Sequence, residues 1–189
     1  MDELTIEERI TRALETGNWI VRADDDGVSP SQDAKGFRWA PIGEWTEAPD
    51  FSPHFECGGG LHGQDKDHGG MIFGKRLVFC ETDGKHVPLG NKVKVRRASI
   101  LLVNALPEGF KQTAELDLSG TRLSALPEGF KQTDWLNLSG TPISALPEGF
   151  RQTAGLDLSG TPGDGLGLRR LHCVLTGCRI LGFFRGRRQ

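Results

Sequence analysis

The sequence predicts an α+β fold in which a small, mostly-β N-terminal domain with one N-terminal helix continues into a short repeat solenoid. Three observations support this prediction: an amphipathic segment near the N-terminus, short apolar segments separated by turn residues, and a 20-residue repeat after residue 104. The predicted layout places the N-terminal capping domain at residues 1–103, three repeats at 104–163 and a basic C-terminal tail or cap at 164–189.

The N-terminal helix is predicted over residues 4–16. Thr5 and Glu8 form a capping-box pattern at its start, and Gly17 favours its end. A first strand is predicted directly afterwards, at residues 19–21. Four apolar residues recur at helical spacing and would form one face of the helix: Ile6, Ile10, Ala13 and Leu14.

Short strands and loops are predicted between residues 36 and 103. Apolar runs indicate buried strands at 71–73 and 77–80, and the alternation of Val93 and Val95 with basic residues indicates a half-buried strand with a basic outer face. Five aromatic residues, interrupted by prolines, indicate loops anchored by large side chains: Phe37, Trp39, Trp45, Phe51 and Phe55.

From residue 105 the sequence restarts every 20 residues. The segment ALPEGF begins at residues 105, 125 and 145, and the segment LDLSGT or LNLSGT begins at residues 116, 136 and 156. An L-x-L core at a period of about 20 to 29 residues is typical of leucine-rich repeats. We therefore expect a leucine-rich-repeat solenoid in which Leu116, Leu136 and Leu156 stack as equivalents in successive coils.

The ends of such a stack need caps, because three coils are close to the minimum for stability. Residues 93–103 lie one period before the first repeat and are expected to close the N-terminal end. The apolar segment 171–184 is expected to lie as a strand over the other end.

The residues between the repeated leucines should point away from the core, onto the concave face that repeat proteins usually bind with. Trp135 is the only large residue there, which makes it a candidate hot spot. Packing of Trp135 against the N-terminal domain or the tail is the alternative. A protein partner is therefore predicted to contact five residues of this face: Glu115, Asp117, Trp135, Asn137 and Asp157.

A second candidate site is a metal site between residues 54 and 68. Cysteine, histidine and aspartate can all bind zinc, but the spacing matches no compact zinc motif, and a flexible glycine-rich loop is the alternative. Gly58–Gly60 lacks the Lys-Ser/Thr of a P-loop. A small metal- or nucleotide-binding enzyme domain at 20–80 thus remains an alternative function, with no catalytic residue predicted. The candidate metal ligands are His54, Cys57, His62, Asp65, Asp67 and His68.

Composition excludes some function classes. The net charge of −2 argues against electrostatic binding of nucleic acid by the whole molecule. Residues 1–50 carry 12 acids and 5 bases, whereas residues 163–189 carry six arginines and one aspartate, so nucleic acid is expected at most through the Arg-rich tail. No run of 18 apolar residues predicts a membrane span, and the N-terminus has no apolar export-signal region. With four cysteines, reduced thiols and a cytoplasmic location are expected.

Four blocks of the sequence resemble an uncharacterised domain of bacteriophage and prophage proteins. The blocks are Gly36–Trp39 (GFRW), Gly43–Trp45 (GEW), Cys57–Gly63 (CGGGLHG) and the Lys-Val-Arg segment at 94–96, and short repeats often follow them, as here. The resemblance covers roughly residues 17–163. It implies a viral or bacterial origin and a two-part layout, without an activity. The expected partner is then a phage structural or host protein, and a virion structural or accessory protein is the alternative function.

Overall fold

The computed structural model describes residues 4–28, 37–152 and 154–162, together with the backbone of residues 180–181. Its helix, α1, spans Ile6–Thr16. Thr5 begins it with a complete capping box, in which the Glu8 backbone N–H donates to Thr5 Oγ1 and the Thr5 N–H donates to Glu8 Oε2. Gly17 ends it in the left-handed conformation at a φ of 73°. The helix and both of its predicted ends are therefore confirmed.

Two antiparallel sheets form the N-terminal part. The four-stranded sheet has the order β1 (Trp19–Asp24), β5 (Arg76–Thr82), β8 (Arg97–Val103), β2 (Trp45–Glu47). The three-stranded sheet has the order β3 (Leu61–Gly63), β7 (Val93–Val95), β6 (Val87–Pro88). Strands β7 and β8 follow one another with only Arg96 between them, and a bridge between Val21 and Gln64 also joins the two sheets.

A third, parallel sheet runs through the repeats. Its order is β14 (Ile180–Leu181), β13 (Leu156–Asp157), β12 (Leu136–Asn137), β10 (Leu116–Asp117), β4 (Gly70–Met71), and we call it the repeat sheet. In this sheet Leu116 is the register partner of Leu136, and Leu136 is the register partner of Leu156. Each 20-residue repeat therefore adds one strand to the sheet. A two-stranded parallel sheet pairs β9 (Lys111–Gln112) of the first coil with β11 (Lys131–Gln132) of the second. In each coil this strand comes before the strand of the repeat sheet.

The four-stranded sheet has a hydrophobic core on each face. One core includes Ile20, Val78 and Cys80 of the four-stranded sheet and faces the three-stranded sheet. The other is shared by α1, the opposite residues of β1 and β5, and the repeats. In that core a row of aromatic rings continues from the N-terminal part into the repeats. Ring centroids are 4.9 Å apart for Trp19 and Phe110, 5.9 Å for Phe110 and Phe130, and 6.3 Å for Phe130 and Phe150.

The predicted α+β class, a capping domain followed by a solenoid, is wrong. The described chain has four sheets and one helix of 11 residues, so the fold is mostly β. The capping box was a sound local signal, but the remaining elements are strands and turns. In each repeat the proline and glycine make a hydrogen-bonded turn, with the Phe110 N–H donating to the Pro107 carbonyl at 3.1 Å. Moreover, the repeat sheet begins with β4, which lies inside the N-terminal part.

Three expectations about individual segments need correction. Residues 93–103 do not add a strand to the repeat sheet: they form β7 and β8 of the other two sheets, and β4 pairs with the first repeat. Segment 71–73 is not wholly buried, since Ile72 is buried while its two neighbours are exposed. The strand around Val93 is not half-buried, because Lys94 is only 1% exposed. At the other end of the repeat sheet, β14 pairs with β13 in parallel. The rest of the predicted strand at 171–184, and of the tail or cap at 164–189, lies outside the described residues.

Candidate functional site

The outward side of the repeat sheet brings the predicted partner-binding residues into two rows. Asp117, Asn137 and Asp157 are register partners across β10, β12 and β13, and Met71 of β4 continues their row. Neighbouring strands lie about 4.8 Å apart, so the row extends across about 14 Å of the sheet. We call the outward residues Met71, Phe73, Glu115, Asp117, Trp135, Asn137 and Asp157 the outer face.

The side chains of Asp117, Asn137 and Asp157 also stabilise the turn that follows each strand. In each coil one side-chain oxygen accepts from the serine N–H two residues later: Asp117 from Ser119 at 2.9 Å, Asn137 from Ser139 at 3.0 Å, and Asp157 from Ser159 at 2.9 Å. These bonds resemble Asx turns, which satisfy backbone groups locally. Asp117 is only 6% exposed, so these side chains have less free surface than the sequence suggests.

Trp135 is half-buried because its ring lies over Gly155, which occupies the same place one coil later. A Cβ added at Gly155 would overlap the indole ring. The ring thus packs within the repeats, a contact that differs from the predicted packing against the N-terminal domain or the tail, and it keeps part of its surface exposed. Its role as a hot spot stays a prediction. Glu115, which occupies the same place one coil earlier, is exposed.

Met71 and Phe73 are the outer-face residues that the sequence prediction missed. They are 58% and 65% exposed, whereas Ile72 between them is buried. Gly70 pairs with Leu116 and Met71 with Asp117, so Met71 falls on the outward side with Asp117. The alternation of exposed Met71, buried Ile72 and exposed Phe73 extends this side by one residue. The alternation itself was visible in the sequence, but nothing there placed it beside a repeat 46 residues away.

The free edge of β4 is blocked by polar side chains. Gln64, itself buried, donates from Nε2 to the Gly70 carbonyl at 2.5 Å. On the inner side, Gln112 Nε2 donates to the carbonyls of Asp65 at 2.9 Å and His68 at 3.2 Å. Gln132 and Gln152 are the equivalents of Gln112 in the next two coils, and each donates to a carbonyl of the coil before it. The segment before β4 therefore occupies the position that a preceding coil would have.

The six predicted metal ligands lie in three separate places. His54 and Cys57 belong to an exposed loop, His62 lies in β3, and the other three precede β4. Within the ranges that the structure describes, no three His, Cys, Asp or Glu side chains are grouped so that they could hold a metal ion. Asp67 is exposed and forms an ion pair with Lys66 at 3.2 Å. The zinc site stays a prediction.

Asp65 is the centre of a polar network. Its Oδ1 lies 2.8 Å from His68 Nδ1, its Oδ2 lies 2.8 Å from His86 Nδ1, and His86 Nε2 lies 2.9 Å from Thr82 Oγ1. Burial acts to raise the pKa of Asp65, but hydrogen bonds from His86, His68 and the Asp67 N–H outweigh it and hold the pKa at about 2. The order hydroxyl, imidazole, carboxylate is that of a nucleophilic triad. Thr82 is only 6% exposed, however, and the network joins the loop before β4 to the end of β5.

His62 is held in its neutral form. Burial, followed by the positive charges of Lys92, Lys94 and Arg22, lowers its pKa to about 4. Its Nε2 is buried and has no hydrogen-bond partner among the described residues. A neutral imidazole in this setting is a structural element of the strand pair β3–β7, in which His62 faces Lys94.

Lys94 organises the glycine-rich loop. Its Nζ donates to the carbonyls of His54 at 2.9 Å, Glu56 at 2.9 Å and Gly58 at 3.1 Å, which uses all three ammonium hydrogens. A Cβ at Gly60 would overlap the Lys94 side chain, so the loop needs glycine there for close packing. The glycines thus have a structural explanation that involves no phosphate.

Comparison of the chain with protein families, with curated proteins and with solved structures finds no match. The helices of the described ranges include none that is long and apolar enough to cross a membrane. The outer face and the networks around Asp65 and Lys94 are therefore interpreted from their geometry alone.

Proposed function

We propose that this protein is a non-catalytic interaction module that binds a polypeptide through the outer face of the repeat sheet. One observation carries the proposal: Met71, which continues the row of Asp117 and Asn137, is 58% exposed, and Phe73, two residues later in the chain, is 65% exposed. Single exposed apolar residues are ordinary on protein surfaces, but two large ones separated only by the buried Ile72 form a patch that favours protein contact.

The chemistry of the outer face defines the partner. Its apolar end, Met71 and Phe73, suits aliphatic or aromatic side chains. Its remaining charged residues, Glu115, Asp117 and Asp157, are all acidic and have no ion-pair partner in the described structure. A polypeptide segment that carries apolar residues and at least one lysine or arginine would match both the apolar residues and the acidic residues of the outer face.

Binding would use side chains rather than strand addition. A peptide that extends a sheet needs free backbone groups on an edge strand. At β4 the Gly70 carbonyl is already bonded to Gln64, and at the opposite end β14 covers β13. The outward side chains, by contrast, can contact a partner without a free edge strand.

A displayed library of random peptides tests this proposal. The wild-type protein is expected to enrich peptides with apolar and basic residues, and the double variant M71S/F73S should lose their binding by about tenfold or more, since each buried apolar side chain contributes roughly 1.5–3 kcal/mol. The matched control is Phe55→Ser, because Phe55 is 78% exposed but lies in the glycine-rich loop. Equal binding by M71S/F73S and wild type, or enrichment of no peptide, would refute the proposal.

The proposed origin is a phage or prophage, and the proposed location is the bacterial cytoplasm or the virion. This part rests on the resemblance of the segments around residues 36–63 and 94–96. A fixed copy number in purified particles would support the alternative role as a virion component. Absence from particles would remove that alternative and leave the interaction module.

A further inference from the structure

We infer that residues 182–189 of the same chain bind the acidic part of the outer face, around Glu115, Trp135 and Asp157. The inference rests on the proposed binding role of this face and names an occupant for it within the molecule. Residues 182–189 (GFFRGRRQ) lie outside the described residues and combine two phenylalanines with three arginines. They have the apolar and basic side chains that a partner segment of this face needs.

The acidic part of the outer face has no compensating charge of its own. Glu115 is exposed and Asp157 is partly exposed, and neither forms an ion pair in the described ranges. Three acids and no lysine or arginine occupy the outward positions of the three coils, which are 115, 117, 135, 137, 155 and 157. The charge of this surface is therefore negative and suits a cationic segment.

Strand β14 places the start of residues 182–189 beside these acids. Leu181, the last residue of β14, is the register partner of Asp157. Because the strands of the repeat sheet are parallel, residue 182 follows at the same end of the sheet as the row of Asp117, Asn137 and Asp157. The segment thus begins one strand spacing, about 4.8 Å, from the nearest member of that row.

The length of the segment matches the distances across the face. Trp135 precedes β12, two strand spacings or about 9.6 Å from β14, and Glu115 precedes β10, three spacings or about 14.4 Å away. Phe183 and Phe184, two and three residues after β14, reach roughly 7–10 Å in an extended chain, and residues 185–188 reach roughly 13–23 Å. The phenyl rings can therefore contact the indole ring while the arginines reach Glu115.

Binding of this segment would regulate the outer face. A short connection to β14 gives the segment an effective concentration in about the millimolar range at the face. A peptide that uses the same acids would have to displace it. The competition would be strongest at Asp157 and Trp135, since Met71 lies four strand spacings from β14.

The test follows the indole N–H resonance of Trp135 in the ¹⁵N-labelled full chain, identified by its loss in Trp135→Phe. The variant R187S/R188S should shift this resonance, because the segment then leaves the indole ring. The resonance of Trp19, which is 2% exposed in the core, should stay in place. In a Glu115→Gln background the shift caused by R187S/R188S should be smaller, as expected for coupled charges. No foreign peptide is added, so this result and that of the peptide library are independent.

The matched control is R169S/R170S, which also removes two adjacent arginines but from a position before β14. It should leave the Trp135 resonance unchanged. An unshifted resonance in R187S/R188S, or an equal shift in both double variants, would overturn the inference. A resonance position that depends on protein concentration would also overturn it, since the segment would then come from a second copy of the chain.

Discussion

Trp135 lies over Gly155, the residue that takes its place one coil later in the repeat. The three coils are therefore not interchangeable on their outward side. Where the first coil has an exposed glutamate at 115, the second has an indole ring and the third has the space that receives it.

Gly155→Ala should destabilise the protein by about 1–3 kcal/mol, because the new Cβ overlaps the Trp135 ring and forces it outward. Urea unfolding measures the loss, and the fluorescence of Trp135 should shift towards that of exposed tryptophan. The control is Trp135→Ala: in the double variant the penalty of Gly155→Ala should vanish, as expected for two directly coupled residues. An equal penalty in both backgrounds would contradict the contact.

Gln132→Leu should cost about 1–3 kcal/mol of unfolding free energy. Gln132 is 2% exposed, and its Nε2 donates to the carbonyls of Ala114 and Trp135, which would be left without this donor. The neighbouring exposed Lys131 provides the comparison, since Lys131→Ala should change stability by less than about 0.5 kcal/mol. If the two variants unfold at the same urea concentration, the glutamine bonds between coils have no net effect.

Protein stability should fall with pH below about 6.5 because of His62. Its pKa is lowered from 6.5 to about 4, so as pH falls the unfolded chain binds the proton first and gains stability relative to the native state. The contribution of neutral His62 to the free energy of unfolding is fully present above pH 6.5 and is lost as the pH falls towards 4. It is on the order of 1–2 kcal/mol after allowance for the partial exposure of His62.

Urea unfolding at pH 7.5 and at pH 4.5 would measure this His62 effect. His62→Gln should reduce the difference between the two pH values, whereas His54→Gln, a change at an exposed position, should leave it intact. Asp65 acts in a separate window, since its lowered pKa contributes stability that is lost only as pH falls from 3.8 towards 2. An unchanged pH dependence in His62→Gln would rule out this assignment.

Lys94→Met should destabilise the glycine-rich loop and cost about 2–3 kcal/mol, because three backbone carbonyls lose their donor while the buried volume is nearly kept. Limited proteolysis should then cleave within residues 54–58 faster than in the wild type. Lys92→Met is the control: Lys92 Nζ contacts only the exposed Cys57 Sγ, at 3.3 Å, and its replacement should have little effect. Equal cleavage rates in both variants would show that Lys94 does not hold the loop.

The features that the sequence predicted well are those determined by short-range patterns. The period of 20 residues required Leu116, Leu136 and Leu156 to be equivalent, and they are register partners. The capping box and the terminal glycine defined α1, because both signals lie within the helix and its flanking residues.

The features that the sequence did not predict depend on contacts between distant segments. The segment Gly70–Ile72 lacks the leucine pattern, so its pairing with Leu116 could not be inferred. Lys94 alternates with valines like an exposed residue, but the loop around Cys57 folds over it. The α+β class was wrong because one strong helix signal was taken to indicate a helical layer, whereas the other described elements are strands.

Disulfide formation between Met71→Cys and Asp117→Cys tests most directly whether β4 belongs to the repeat sheet and so whether the outer face is one surface. The two residues are partners in a parallel pair, at about 4.8 Å, within the Cα separation of about 4.4–6.8 Å that a disulfide needs. In a background in which Cys57, Cys173 and Cys178 are replaced by serine, mild oxidation should link them. The pair Met71→Cys and Asn137→Cys, two strand spacings or about 9.6 Å apart, should stay reduced. No link in the first pair, or equal linking in both, would contradict the account.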